Sequence, residues 1–337
     1  MSSALAAEAK KAAGKVNVYM YSEYIDPEIP KEFEKKTGIK VQIDVYEAAE
    51  EMVAKMQQGG VSQYDVVVAP NHWIPVLKTL KLIQPLDKAK IPNYKNIDTQ
   101  FSKQVYDPDD SLSAPYQWGT IGLIYRKDKV KNFVPSWKSL FDETSQPQGF
   151  YLMDEMRPMM SAALISLGKG INTKDSADLK AAGEKLLKAK TSKKCLGLAA
   201  GVDGKNKVVA GDAALALVYN GDAVRGMAEN DKVDFVVPEE GTMIWVDCMT
   251  LSAKAPNAAA AHQFIDYILD PKVGAQLSNF NRYATPNKAS LAGIKDEDKK
   301  NTAIYPTPDQ MKKLQYLQDL GKDNQLYDEI WTSVKSK

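Results

Sequence analysis

Apolar positions along the chain fall into short runs whose period switches between strand-like and helix-like. Val16–Tyr21 (VNVYMY) reads as a strand, Ser22–Pro27 as a loop, and Glu28–Lys36 as an amphipathic helix closed by Thr37-Gly38. Ile39–Tyr46 is a second strand, Ala48–Gln58 a helix ending at Gly59-Gly60, and Tyr64–Ala69 (YDVVVA) a continuous apolar run of the kind found in buried parallel strands. Ile74–Leu80 starts another helix. Alternation of strand and helix predicts an α/β layer with a mostly parallel sheet. Ligands of such sheets gather at the carboxyl ends of the strands. Glu23, Tyr24, His72 and Trp73 fall at such ends.

A looped section with three prolines runs from Ile83 to Ser113, and Ala114–Gly119 leads into a strand over Ile121–Arg126. A second lobe is expected to start near Arg126. It holds a short helix at Trp137–Phe141, a strand at Phe150–Met153, helices at Met159–Leu167 and Ala177–Lys188, and the apolar run AALALVY ending at Tyr219. A helix over Ala223–Glu229 and a strand over Phe235–Pro238 follow. Further on come helices over Asn257–Leu269 and Val273–Asn279, a loop over Arg282–Asn287, and a helical tail over Asp309–Gln318 and Asn324–Val334.

Gly241–Ser252 (GTMIWVDCMTLS) organises this pattern. It is an apolar, strand-like run that crosses back toward the first lobe, and alternation places Trp245 and Asp247 on one face. A carboxylate in such a run is costly to bury unless something positive meets it. That partner is either an internal Lys or Arg or a cation arriving from outside, with Trp245 as the wall beside it.

The length of 337 residues exceeds one comfortable core and predicts two lobes. The boundaries expected are 15–125 plus 247–302 for lobe 1 and 126–246 plus 303–337 for lobe 2. Met1–Gly14 reads as a flexible segment, a frayed helix or linker without the apolar core of a secretion signal. A net charge of +1 and scattered lysines give no sign of a nucleic-acid partner, and no apolar run approaches a membrane span. The two cysteines, Cys195 and Cys248, are compatible with one bridge or with two small buried hydrophobes.

Enzyme chemistry leaves few traces. His72 and His262 have no metal-ligand spacing with each other or with the cysteines, so neither a zinc site nor a cofactor is expected. His262 sits in a helical run and reads as a packing or surface residue. There is no G-x-S-x-G elbow, P-loop or dinucleotide fingerprint. A glycoside hydrolase using Glu23 and Asp247 would need one carboxylate tuned as acid and one as nucleophile, and nothing marks such a split. What remains is a set of carboxylates and aromatics at strand ends: Glu23, Tyr24, Trp73, Glu155, Tyr219, Trp245, Asp247 and Tyr283. Each has an ordinary alternative: the rings as packing residues, Glu155 as a partner of Arg157.

The order of VYMYSEYI, KKTGIKVQIDVYEAAEEMVAKM, YDVVVAP, SAPYQWGTIGLIYR, MDEMR, LVYNGDA, VVPEEGTMIWVDCMTLS, FIDYILDP and YATPN resembles the periplasmic spermidine/putrescine-binding proteins of ABC importers. The resemblance covers about Val16 to about Tyr327. It implies two α/β lobes of the periplasmic-binding-protein fold, a ligand cleft at the hinge, and no catalysis. It implies ligand contacts from Tyr21, Ser22, Glu23, Tyr24, His72, Trp73, Glu155, Tyr219, Trp245, Asp247 and Tyr283, with acidic groups on the amines and rings on the methylenes. It further implies a monomer outside the cytoplasmic membrane, periplasmic or lipid-anchored, with the leader absent from this chain and a membrane permease as partner.

Spermidine-binding relatives carry a second carboxylate three residues past the Glu155 position, where this chain has Pro158. That departure favours a diamine, putrescine, over the triamine. The family's tail glutamine finds a counterpart in Gln315 or Gln318. The same fold also serves other solutes such as thiamine or an amino-sugar, or a sensor that reports to a receptor, and those readings stay open at this stage.

Overall fold

Strands form where β-branched and aromatic residues cluster between turn residues. In the computed structural model, which describes residues 14–337, they are β1 (Lys15–Tyr21), β2 (Lys40–Tyr46), β3 (Val66–Pro70), β4 (Ile83–Gln84), β5 (Ser113–Arg126), β6 (Phe150–Met153), β7 (Cys195–Ala199), β8 (Leu215–Tyr219), β9 (Val233–Val236), β10 (Met243–Ser252) and β11 (Gln315–Tyr316). Residues 1–13, on which the expected frayed helix or linker falls, lie outside that range.

The strand order is β2-β1-β3-β10-β5-β8-β6-β7, with β4 and β11 also pairing with β10 and β9 with β5. Two parallel groups result. One is β2-β1-β3; the other is β8-β6-β7. Helices supply the crossovers in both, as parallel pairing requires. The two groups are the cores of the two lobes, and the antiparallel pair β10–β5 joins them.

β5 is shared between the lobes. Ser113–Thr120 pairs with β10, whereas Ile121–Arg126 pairs with β8 and β9. β10 is shared too: Asp247–Leu251 pairs with β3, and Met243–Ile244 pairs with β11. A bulge between Asp247 and Cys248 interrupts the register against β5. Bulges re-aim side chains, and this one adjoins the carboxylate singled out in the sequence. The residues beside this changeover sit where strand pairing passes from one lobe to the other, a place where ligands collect in α/β sheets.

Three readings change here. Ala114–Gly119 is not a lead-in but half of a 14-residue strand, buried along nearly its whole length; burial on both faces removes the alternation that would mark it. The tail helix expected over Asp309–Gln318 stops at Met311, and Gln315–Tyr316 adds a strand to β10 instead. The neighbouring strand edge overrides local helical spacing. Cys195 and Cys248 are both free. Cys195 lies on the outer strand β7 and Cys248 on the central β10, four strands away at roughly 4.8 Å each, far beyond the Cα separation a bridge tolerates.

His262 serves packing. Its Nε2 accepts from the backbone N–H of Asp87 at 2.9 Å, tying the helix Ala258–Ile268 to the looped section.

Candidate ligand-binding site

The site is assembled at strand ends. Tyr21 closes β1, and Tyr24 lies in the loop that follows. Tyr219 closes β8 and stands immediately before the helix Asn220–Glu229. Glu155 lies just past β6, at the cap of the helix Met156–Ser166. Trp245 and Asp247 project from β10. Tyr283 sits in the loop after the helix Pro271–Asn281. That loop is pinned to β5: Trp118 exchanges backbone bonds with Ala284, the Trp118 indole N–H donates to the Thr285 carbonyl at 3.2 Å, and Gln117 pairs with Asn281.

Two glycines make the assembly possible. Gly119 faces Trp245 across the β5–β10 ladder, and a Cβ there would meet the Trp245 ring and the Asn220 amide oxygen. Gly221 lies against the Tyr283 ring in the same way. Asn220, between them, accepts the Thr120 N–H at 3.1 Å and donates to the Ala303 carbonyl at 2.8 Å, locking the helix start to the changeover point.

The aromatic rings form a continuous edge-to-face series. Tyr21–Tyr24 centroids are 6.0 Å apart at 83°, Tyr24–Tyr283 6.0 Å at 82°, Tyr283–Trp245 5.0 Å at 82°, and Trp245–Tyr219 6.1 Å at 87°. Such geometry suits ring quadrupoles and leaves faces that attract alkylammonium groups. One carboxylate meets the second ring of the series and another its last. The Tyr24 hydroxyl donates to Asp247 Oδ2 at 2.6 Å, and the Tyr219 hydroxyl donates to Glu155 Oε2 at 2.7 Å. Tyr24 is itself held by the Tyr116 hydroxyl, which donates to its carbonyl at 2.6 Å.

Among the described residues the two carboxylates have no cation partner. Asp247 is 6% exposed, and burial pushes its carboxyl up from 3.8 to about 7, against a smaller downward pull from the Tyr24 hydroxyl. Burial raises Glu155 as well, countered by the Tyr219 hydroxyl and reinforced by the charges of Glu50, Asp222 and Asp154. The internal ion pair considered for Asp247 is not formed: a phenol takes that place. The Glu155–Arg157 pair is not formed either. Arg157 turns away and donates to Asn172 Oδ1 at 2.9 Å, to the Gln318 carbonyl at 3.2 Å and to Asn324 Oδ1 at 3.5 Å. Both carboxylates act on the phenols of Tyr21, Tyr219 and Tyr283, which burial holds well above their usual range. The two carboxylates are thus set along one row of rings.

The other predicted residues lie around this core. Ser22 is half-buried beside Tyr21. Glu23 is exposed, in the left-handed region at φ 53°, and its charge reaches Asp222 rather than Asp247. His72 and Trp73 sit past β3 with their rings 6.0 Å apart. Burial and the nearby Arg157 charge hold the His72 imidazole neutral, pushed down to about 3. Pro158 is buried in the first turn of its helix, a position that tolerates the missing N–H, and it brings no charge. Gln315 spends its side-chain oxygen on the Ile171 N–H at 3.1 Å, and Gln318 is exposed.

Reasoning from sequence missed three contributors. Tyr116 supports Tyr24, Tyr46 packs its ring 4.4 Å from Tyr21, and Asp222 is a buried carboxylate paired with Arg225 at 2.5 Å. Among the described residues no group of three or more His, Cys, Asp and Glu side chains is placed to hold a metal ion; the acidic groups are spread along the rings.

Two α/β lobes joined by shared strands, with carboxylates and rings converging beside the crossing, define a two-lobe solute-binding protein. The chain belongs to the bacterial extracellular solute-binding protein family, whose profile matches residues 28–307. It is 33% identical to the putrescine-binding periplasmic protein PotF of Escherichia coli (strain K12), covering 98% of this chain and 93% of that one. It is 29% identical to the spermidine/putrescine-binding periplasmic protein of the same organism, covering 94% and 90%. Among solved structures, the spermidine/putrescine ABC transporter substrate-binding protein PotD of Streptococcus pneumoniae superposes with a TM-score of 0.86 at 29% identity, covering 96% of this chain and 99% of that one. No helix among the described residues is long and apolar enough to cross a membrane.

Proposed function

We propose that this protein captures putrescine in the cleft between its lobes and hands it to the membrane permease of an ABC importer, without chemical turnover. It works as a monomer outside the cytoplasmic membrane. The lobes are read as 15–125 with 247–302 and 126–246 with 303–337, although the pairing of β5 already passes to the second lobe at Ile121. The observation that carries this reading is the aromatic series flanked by two carboxylates without a cation partner among the described residues, Asp247 beside Tyr24 and Glu155 beside Tyr219. The relatives' names, which specify putrescine and spermidine, support it.

The chemistry suits a diamine. Both amines of putrescine are charged at neutral pH, with pKa values of roughly 10. One is met by Asp247 and the other by Glu155. At an effective dielectric of about 20, each contact at about 4 Å contributes roughly 4 kcal/mol before desolvation is subtracted. The four methylenes pack on Trp245, Tyr283 and Tyr219, which select against small inorganic cations. With Pro158 in place of a further carboxylate, a third amine finds no matching charge in that turn. Because each lobe carries part of the site, the ligand binds the closed form better and shifts the population toward it.

Calorimetric titration of protein stripped of carried-over ligand, using putrescine, cadaverine, spermidine and spermine, tests the proposal. Putrescine is expected to bind tightest. Spermidine binding equally well would overturn the role given to Pro158, and no binding by any of the four would overturn the polyamine reading.

A further inference from the structure

The edge of β10 that faces β3 has a gap. β11 pairs with it at Met243 and Ile244, and β3 begins at Asp247. Trp245 and Val246 lie between. On the opposite edge, β5 passes from one lobe to the other between Thr120 and Ile121, level with Ile244. The gap therefore coincides with the changeover between lobes.

One side chain bridges it. Pro70 ends β3 opposite Asp247, and the chain turns away into one tight helical turn, Asn71–Trp73. The Asn71 amide takes the place of the missing strand. The Val246 N–H donates to Asn71 Oδ1 at 3.2 Å, and Asn71 Nδ2 donates to the Leu317 carbonyl at 2.9 Å. Asn71 is fully buried, so without it both backbone groups lose a buried partner.

The second lobe holds the same stretch of tail from its other edge. Asn172, in the loop after the helix Met156–Ser166, donates from Nδ2 to the Tyr316 carbonyl at 2.8 Å and accepts the Gln318 N–H at 3.0 Å. Arg157 donates to Asn172 Oδ1 and to the Gln318 carbonyl. Tyr316–Gln318 thus runs between two side-chain amides, one from each lobe. Among the described residues, the Asn71–Leu317 bond is the one hydrogen bond from 308–337 to 15–125 or 247–302.

We propose that Asn71 is a positioning residue for solute capture. It ties the tail of one lobe to the end of β3 in the other and fixes Trp245 and Asp247 between them, without touching the solute itself. The solute is the one proposed above; the tie rests on hydrogen bonds alone. Losing the tie frees the tail from β3. The arrangement in which the Tyr283 and Trp245 rings meet at 5.0 Å is then less populated, and apparent affinity falls with that population.

Wild type, N71A, N71S, N172A and N71A/N172A are compared by putrescine binding kinetics, by melting, and by small-angle scattering of the empty proteins. N71A is expected to lose roughly tenfold in affinity, mostly through faster release, with association changed less than about threefold. N71S, whose hydroxyl serves one of the two partners, should fall between. N172A frees the same tail from the other side, so the double variant should lose less than the product of the two single losses. N172A and N71S also carry the test should N71A not fold. Empty N71A should scatter as a more extended particle than wild type. A variant that melts lower but whose folded fraction binds and releases putrescine as wild type does would overturn the role of Asn71. So would losses in N71A and N172A that simply multiply. A wild type that binds no polyamine would overturn the polyamine reading, and the scattering comparison would still decide for or against the tie.

Discussion

The Tyr24 hydroxyl donates to Asp247 Oδ2 at 2.6 Å, joining residues 223 positions apart in the chain. The carboxylate it reaches is buried, has no basic partner among the described residues, and is pushed up by burial from 3.8 to about 7. Burial thereby moves its titration up toward neutral pH. Binding and stability both depend on that fact.

An ammonium favours the ionised carboxylate, so binding pulls the Asp247 proton off. Putrescine affinity is expected to rise with pH up to about 7 and then level off, until the amine itself loses charge near pH 10. At about pH 6.5 binding should release protons. Titrations in two buffers of different ionisation enthalpy measure the release, and equal apparent enthalpies in both would contradict a raised Asp247.

Asp247→Asn should remove most diamine affinity while making the empty protein more stable. An acid whose folded pKa is raised adds no cost below its unfolded value of about 3.8 and costs progressively more as pH climbs to the folded value of about 7. At about 1.4 kcal/mol per unit, the cost above pH 7 is on the order of 4 kcal/mol as an upper bound. The variant should melt above wild type at about pH 8 and level with it at about pH 4. Differential scanning calorimetry at the two pH values checks both halves.

Tyr24→Phe removes the hydrogen bond that favours ionised Asp247, so the carboxyl should titrate higher still. The affinity defect is then expected to be largest below about pH 7 and to shrink above about pH 8.5, where the aspartate is ionised in either protein. A defect independent of pH would mean that the phenol acts through shape and not through charge.

Gly221→Val places side-chain atoms into the Tyr283 ring. The ring must shift from its place 5.0 Å from Trp245, and putrescine affinity should drop roughly tenfold as the methylene wall opens. Quenching of tryptophan fluorescence by ligand should weaken in parallel. Unchanged affinity would remove Tyr283 from the site.

The sequence by itself determined the strand-and-helix alternation, because each run carries its own period and its own turn residues. It also placed Glu23, Tyr24, Trp73, Glu155, Tyr219 and Tyr283 at or past strand ends or in loops, where α/β sheets gather ligands, whereas Trp245 and Asp247, expected at such ends too, lie within β10. Local rules were sufficient for that. Only the tertiary structure decided who meets whom: that Asp247 faces a phenol instead of a lysine, that Arg157 turns from Glu155 toward the tail, that Cys195 and Cys248 stay apart, and that Gln315–Tyr316 completes a sheet instead of extending a helix. Charge and burial act through space, and the distance between two residues along a chain says nothing about the distance between them across a sheet.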